Sequence, residues 1–218
     1  MLPARAKVAA VRHHAALAYA ELPAFMRELQ QQDTISALAL EFTILATART
    51  GEVIGARWCE FNLGRKLWVL PAGRMKAGKP HRVALSKRAI TILEKMAALQ
   101  GGAEAAEPGA FVFPGDRPGR GLSQMAMLVL LRRMGHSDLT VHGFRSAFSD
   151  WCAEQTNFSS EAREMALAHT VGDKVEAAYR RGDLLAKRFE LAEAWAEYCA
   201  RGEPPTKRRA PVLAEVAA

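Results

Sequence analysis

Apolar residues recur at a helical period along most of this chain, and at a strand period in one short stretch near residues 61–85. Leu22 to Gln31 reads as a first helix. Asp33 or Thr34 can cap a second, strongly apolar helix to about Ala48, and Gly51 follows its end. A shorter helix follows from about Gly51 to Arg57. The period then changes. Phe61, Lys66 to Leu70 and the alternating His81 to Leu85, bounded by Asn62, Gly64 and Pro71, predict an antiparallel hairpin or three-stranded sheet. The loop Ala72 to Pro80 joins its last two strands. Ser86 caps a helix to about Gln100, stopped by Gly101 and Gly102. Residues 101–121 form a long connection, interrupted by the short apolar segment 110–113. Further helices are predicted from Ser123 to Met134, from Thr140 to about Gln155, from Ser159 or Ser160 to about Ala168, over 173–181 and over 183–200. The fold class is therefore mainly α with a small antiparallel β-sheet (α+β). Residues 1–20 read as a linker or entry arm, 21–202 as one domain and 203–218 as a loosely held tail.

Half of the 218 residues are hydrophobic, enough for one substantial core. The 30 Lys and Arg against 23 acids give a net charge of +7, which favours a polyanionic partner only weakly. Distribution says more. Between Arg65 and Arg88 stand eight cations (Arg65, Lys66, Arg74, Lys76, Lys79, Arg82, Lys87, Arg88) and no acid. A solvated face normally mixes signs, so this run is read as facing phosphate, with Arg74, Lys79 and Arg82 as expected DNA contacts. Cys59, Cys152 and Cys199 lack CxxC spacing and read as buried thiols of a reducing compartment. The longest apolar run, Ile35 to Ala48, is broken by Ser36, Glu41 and Thr43 and is too short to span a bilayer. A cytoplasmic, nucleoid-associated protein is expected.

Taken singly, the candidate functional residues have ordinary explanations. Arg49 ends an apolar helix, where a cation suits the helix dipole. Glu52, three residues on, could orient it. His142 and Arg145 stand at i and i+3, so both are expected on one face near a helix N-terminus, a place that suits phosphate. His169 follows a helix end. Tyr179 would be an unremarkable amphipathic-helix residue, and Lys76 a solvated loop lysine.

Their order and spacing change the picture. Arg49 in TARTGEV, Lys76 in RMKAGKPHRVALS, His142 and Arg145 in VHGFRSAFSDW, His169 in LAHTVGDK and Tyr179 in KVEAAYRRGD together resemble the tyrosine recombinase (phage integrase) family. The likeness covers about residues 20–200 and is nearest to the prophage and genomic-island subgroup. The ten-residue step from His169 to Tyr179 is one longer than in many recombinases and normal for that subgroup.

The resemblance implies site-specific cutting and rejoining of DNA through a 3′-phosphotyrosine at Tyr179, needing neither metal nor ATP. Arg49, Arg145 and His169 would stabilise charge on the non-bridging phosphate oxygens. His142 would accept the tyrosine proton or hold the site in register, and Lys76 would protonate the leaving 5′ oxygen, with Lys79 its competitor. No acidic cluster with metal-ligand spacing accompanies these motifs, and no cofactor is expected. A type IB topoisomerase and a decayed integrase that only binds DNA are the alternatives. Implied partners are double-stranded attachment sites and other copies of the chain in a four-subunit synapse, with a monomer when free. Integrases of this kind usually carry two further N-terminal DNA-binding modules. Two expectations concern particular segments. Tyr179 is expected out of reach of the arginines or poorly ordered without DNA, and the tail after Pro205 either docks on a neighbouring subunit or folds back on its own domain.

Overall fold

A computed structural model describes residues 16–75, 78–102, 107–169 and 182–201. Lys76, Tyr179, the expected helix 173–181, the tail 203–218 and most of the entry arm lie outside the described residues. The helices are α1 Leu22–Gln30, α2 Ile35–Leu45, α3 Thr50–Ile54, α4 Lys87–Leu99, α5 Ala126–Arg133, α6 Gly143–Gln155, α7 Ser160–Ala166 and α8 Leu185–Arg201. Strands β1 Phe61–Asn62, β2 Leu67–Leu70 and β3 His81–Ala84 form one antiparallel sheet in the order β1-β2-β3.

Helix α2 is the axis of the molecule. Nine of its residues, Ala37 through Leu45, are buried, because α1, α3, α4, α5 and α8 all pack around it. Thr34 starts it by accepting a hydrogen bond from the Ala37 N–H, satisfying one of the first-turn donors. The acid inside this apolar helix, Glu41, is 2% exposed and is held by Nε and Nη2 of the Arg88 guanidinium at 2.7 and 3.0 Å. One buried charge is thus matched by a cation of the basic run.

The sheet is anchored by aromatic residues. Phe61 lies opposite Trp68 in the β1–β2 register, and the two rings stack with centroids 5.2 Å apart. The buried indole N–H of Trp68 donates to Glu60, which also receives Arg74. At the far side, Trp195 of α8 packs on Trp151 and Phe148 of α6 and donates to the Ile44 carbonyl at the end of α2.

Several boundaries differ from the sequence reading. Helix α5 starts at Ala126 rather than after a Ser123 cap, and no side-chain cap bond forms there. Helix α6 starts at Gly143, although Thr140 Oγ1 still accepts the Gly143 N–H. The long connection is tied down by isolated bridges, Arg57 with Phe111 and Pro114 with Gly121. Gly121 is required there, since a Cβ would fall 2.3 Å from the Ile54 carbonyl oxygen. Cys59 is exposed, contrary to the expectation of three buried thiols, whereas Cys152 and Cys199 are buried. Tyr19, assigned to the entry arm, is fastened to the domain through Glu154, Gln155 and Tyr198.

Candidate active site

Arg145 is the floor of the site. Its place on the first turn of α6 points it inward, where it is only 5% exposed. The guanidinium donates through Nη1 to the Thr47 carbonyl and through Nη2 to the Leu167 carbonyl at 2.6 Å. Its Nε is buried with no partner among the described residues. Both acceptors lie in short connections, one after the apolar α2 and one after α7, so the packing of these two helices sets the position of this cation.

Arg49 is the N-cap residue of α3 and reaches the same turn. Glu52 takes its backbone N–H at 2.7 Å and its Nη1 at 2.8 Å, so the N3 carboxylate caps the N-cap N–H and also holds the side chain. The other terminal nitrogen, Nη2, approaches the Ala168 carbonyl at 3.4 Å. His169 completes the group. Its Nε2 lies 3.2 Å from Arg145 Nη2 and its Nδ1 2.7 Å from Glu164 Oε2.

The structure therefore brings Arg49, Glu52, Arg145 and His169 around one turn, 167–169. Two guanidiniums this close repel. Burial, and then the charge of Arg49, lower Arg145 from its ordinary value to about 10. Thr47 and Ala168, the residues gripping them, both have φ near +50°, a left-handed conformation costly for a side-chain-bearing residue and frequent at functional sites.

His142 stands at the N-cap of α6, exposed, one turn before the buried Arg145. The backbone of His142 is helical and its carbonyl accepts the Arg145 N–H at 3.0 Å, so the two keep the i, i+3 relation while differing in burial. Its solvent-facing place leaves it accessible from outside the protein.

The basic run is not a uniform phosphate-facing surface. Arg74 turns inward to the Glu60 carboxylate and the Glu52 carbonyl, which makes it a brace between the sheet and α3 rather than a free DNA contact. Arg82 is bound by Asp183 at 2.7 and 2.8 Å, and Arg88 by Glu41. Lys79 is exposed at the hairpin tip.

Sequence reasoning missed three groups near this turn. Glu164 binds His169 from α7, five residues earlier, a spacing no motif flagged. Arg188 of α8 is 3% exposed and bridges the Arg82 carbonyl, the Met165 carbonyl and Asp183. His81 of β3 is largely buried, and burial together with the neighbouring Arg188, Arg49 and Arg145 charges lowers it to about 4. No spacing or motif in the sequence signals these three, because each is defined by contacts between separate elements.

Comparison with known proteins gives relatives of one kind. The chain is 35% identical over 156 residues to the prophage integrase IntA of Escherichia coli K12, covering 71% of this chain and 36% of the relative. It is 33% identical over 187 residues to the prophage integrase IntZ of the same organism, covering 85% and 45%, and 29% identical over 206 residues to the integrase of enterobacteria phage P4, covering 86% and 46%. The chain thus spans less than half the length of these curated relatives. An integrase from mycobacterium phage Brujita shares the fold, with a TM-score of 0.60 at 15% identity, over 96% of this chain and 63% of that one. The phage integrase family model matches residues 16–183, three quarters of the sequence including Arg49, Glu52, His142, Arg145 and His169, and the chain belongs to the phage integrase family.

Proposed function

We propose that this chain is the catalytic domain of a site-specific DNA recombinase that cuts and rejoins duplex DNA through a phosphotyrosine at Tyr179. The observation that carries the reading is the convergence of Arg49, Arg145 and His169 on one turn. Arg49 is paired with Glu52 and His169 with Glu164, but the largely buried Arg145 is in no ion pair among the described residues, so an anion brought by a ligand would complete the site. A scissile phosphate supplies it.

In this mechanism the phosphate sits over the turn 167–169. Arg49 and Arg145 give hydrogen bonds to its non-bridging oxygens, and one such donor is worth about 3 kcal/mol in the transition state. Glu52 keeps Arg49 aimed by holding its Nη1 and backbone N–H. The Tyr179 hydroxyl attacks phosphorus, forms the 3′-phosphotyrosyl bond and loses its proton to His142. The leaving 5′ oxygen takes a proton from Lys76. The new ester keeps the energy of the phosphodiester, so the reverse attack rejoins the strand without ATP.

Tyr179 lies four residues before Asp183, which is fixed by Arg82 and Arg188. Lys79 and the exposed part of the hairpin would follow the DNA backbone. The substrates are double-stranded attachment sites, and the working assembly is four copies on two DNAs, with a monomer off DNA. The boundaries 21–202 for the catalytic unit belong to the same reading.

The test is a suicide duplex that traps cleaved intermediates. The chain is expected to form a covalent protein–DNA adduct, and Tyr179→Phe, which keeps the ring, is expected to fold but form none. An adduct of wild-type yield from Tyr179→Phe would refute the assignment.

A further inference from the structure

The strongest unassigned feature is the carboxylate behind His169. A guanidinium has only donors, so the 3.2 Å contact from Arg145 Nη2 requires a lone pair on His169 Nε2. In the neutral ring the proton then sits on Nδ1, where Glu164 Oε2 accepts it at 2.7 Å. We propose that Glu164 is a positioning residue that fixes His169 as the Nδ1–H tautomer and balances its charge once Nε2 is protonated at the phosphate. The inference rests on the recombinase reading above.

The consequence is chemical. In the resting site Nε2 is an acceptor and cannot donate to a phosphate oxygen. It becomes a donor only by taking up one proton, and His169 is 44% exposed, so solvent can deliver it. The product is an imidazolium that keeps Nδ1–H on Glu164 while Nε2–H turns to the phosphate, and Arg145 Nη2 is released to the same anion. The Glu164 carboxylate accepts from the far nitrogen in both states and so keeps the ring in one orientation. Glu164 suits the task. Partial burial works against its charge, yet the hydrogen bonds from His169 and Arg163 hold its carboxyl below the ordinary value. The groups facing the ring are Glu164 and Arg163 of α7 and Arg145 of α6, with Arg49 on the adjoining Ala168 carbonyl.

The experiment has two arms on the whole chain. In DNA-free protein, long-range nitrogen–proton correlations of the imidazole read the tautomer. His169 is expected as Nδ1–H in the wild type and in Glu164→Gln, which keeps an acceptor, and with a measurable Nε2–H fraction in Glu164→Ala, where only Arg145 still holds Nε2 as an acceptor. On the suicide duplex, Glu164→Ala is expected to cleave about 10–100-fold more slowly at unchanged DNA affinity, and Glu164→Gln to lose less. A wild-type ring protonated on Nε2, an unchanged tautomer in Glu164→Ala, or wild-type cleavage by that variant would each overturn the proposal. Failure of the recombinase reading is separate, since it would appear as no adduct from the wild type while the tautomer result stood.

Discussion

At the scale of single residues, cations of similar appearance in the sequence have opposite jobs. Arg74 and Lys79 stand five positions apart in the acid-free run, yet Arg74 is spent on Glu60 and the Glu52 carbonyl, and Lys79 is exposed. Arg74→Ala strips a partner from Glu60, which is itself 6% exposed. We expect it to cost about 2–3 kcal/mol of folding stability in urea titrations, the range for an orphaned, mostly buried charge. Its effect on the salt dependence of DNA binding should be nil. Lys79→Ala should leave stability unchanged and reduce the slope of log K against log salt by about 1. An Arg74→Ala protein of native stability with a shallower salt slope would reverse these roles. The difference was not legible in the sequence, because what neutralises Arg74, Arg82 and Arg88 comes from Glu60, Asp183 and Glu41, outside the run. Arg49, Arg145 and His169 were legible, because their spacing within fixed motifs outlasts ignorance of the contacts.

At the scale of elements, the strand β3 carries more than its place in the sheet. Its alternation identified it as a strand, and the structure pairs it along its whole length, Leu67 to Leu70 with His81 to Ala84. What periodicity could not supply is that His81 faces the guanidiniums that make the site. Its folded-state value of about 4 lies below the ordinary 6.5, so the unfolded chain binds the extra proton between those values. Stability is therefore complete above about pH 6.5 and is lost as pH falls towards 4, by about 2 kcal/mol after allowing for partial exposure. Urea midpoints taken across that window for wild type and His81→Gln should converge at low pH. Parallel curves would show that another group sets the acid limb. Helix ends were read less well than helix bodies for a related reason. Ser123 looks like a cap by residue type, but α5 begins three residues later, where Ala126 N–H bonds the Ser123 carbonyl rather than its side chain.

At the scale of the whole molecule, α8 decides whether the described residues behave as one cooperative body. Its apolar face was visible as Leu191, Trp195 and Tyr198, but not the polar tie that locks it: the Trp195 indole donates to the Ile44 carbonyl at 2.9 Å, three residues before Thr47, whose own carbonyl holds Arg145. The same helix reaches the start of the described chain, since Tyr198 Oη donates to the Tyr19 carbonyl at 3.0 Å. Loss of α8 packing would therefore loosen the core and the anion site together. Trp195 is fully buried, so Trp195→Ala is expected to cost about 3–5 kcal/mol, a large part of the 5–15 kcal/mol typical of a domain. Trp195→Phe keeps most of the packing and removes the donor, for a loss of about 1–2 kcal/mol. If α8 is integral, far-ultraviolet and near-ultraviolet circular dichroism should report one coincident urea transition in the wild type and in Trp195→Phe. An earlier near-ultraviolet transition, with the helical signal persisting beyond it, would mean that α8 and its tryptophan cluster detach before the rest unfolds. The geometry at Thr47 would then have to be maintained by α2 and α7 alone.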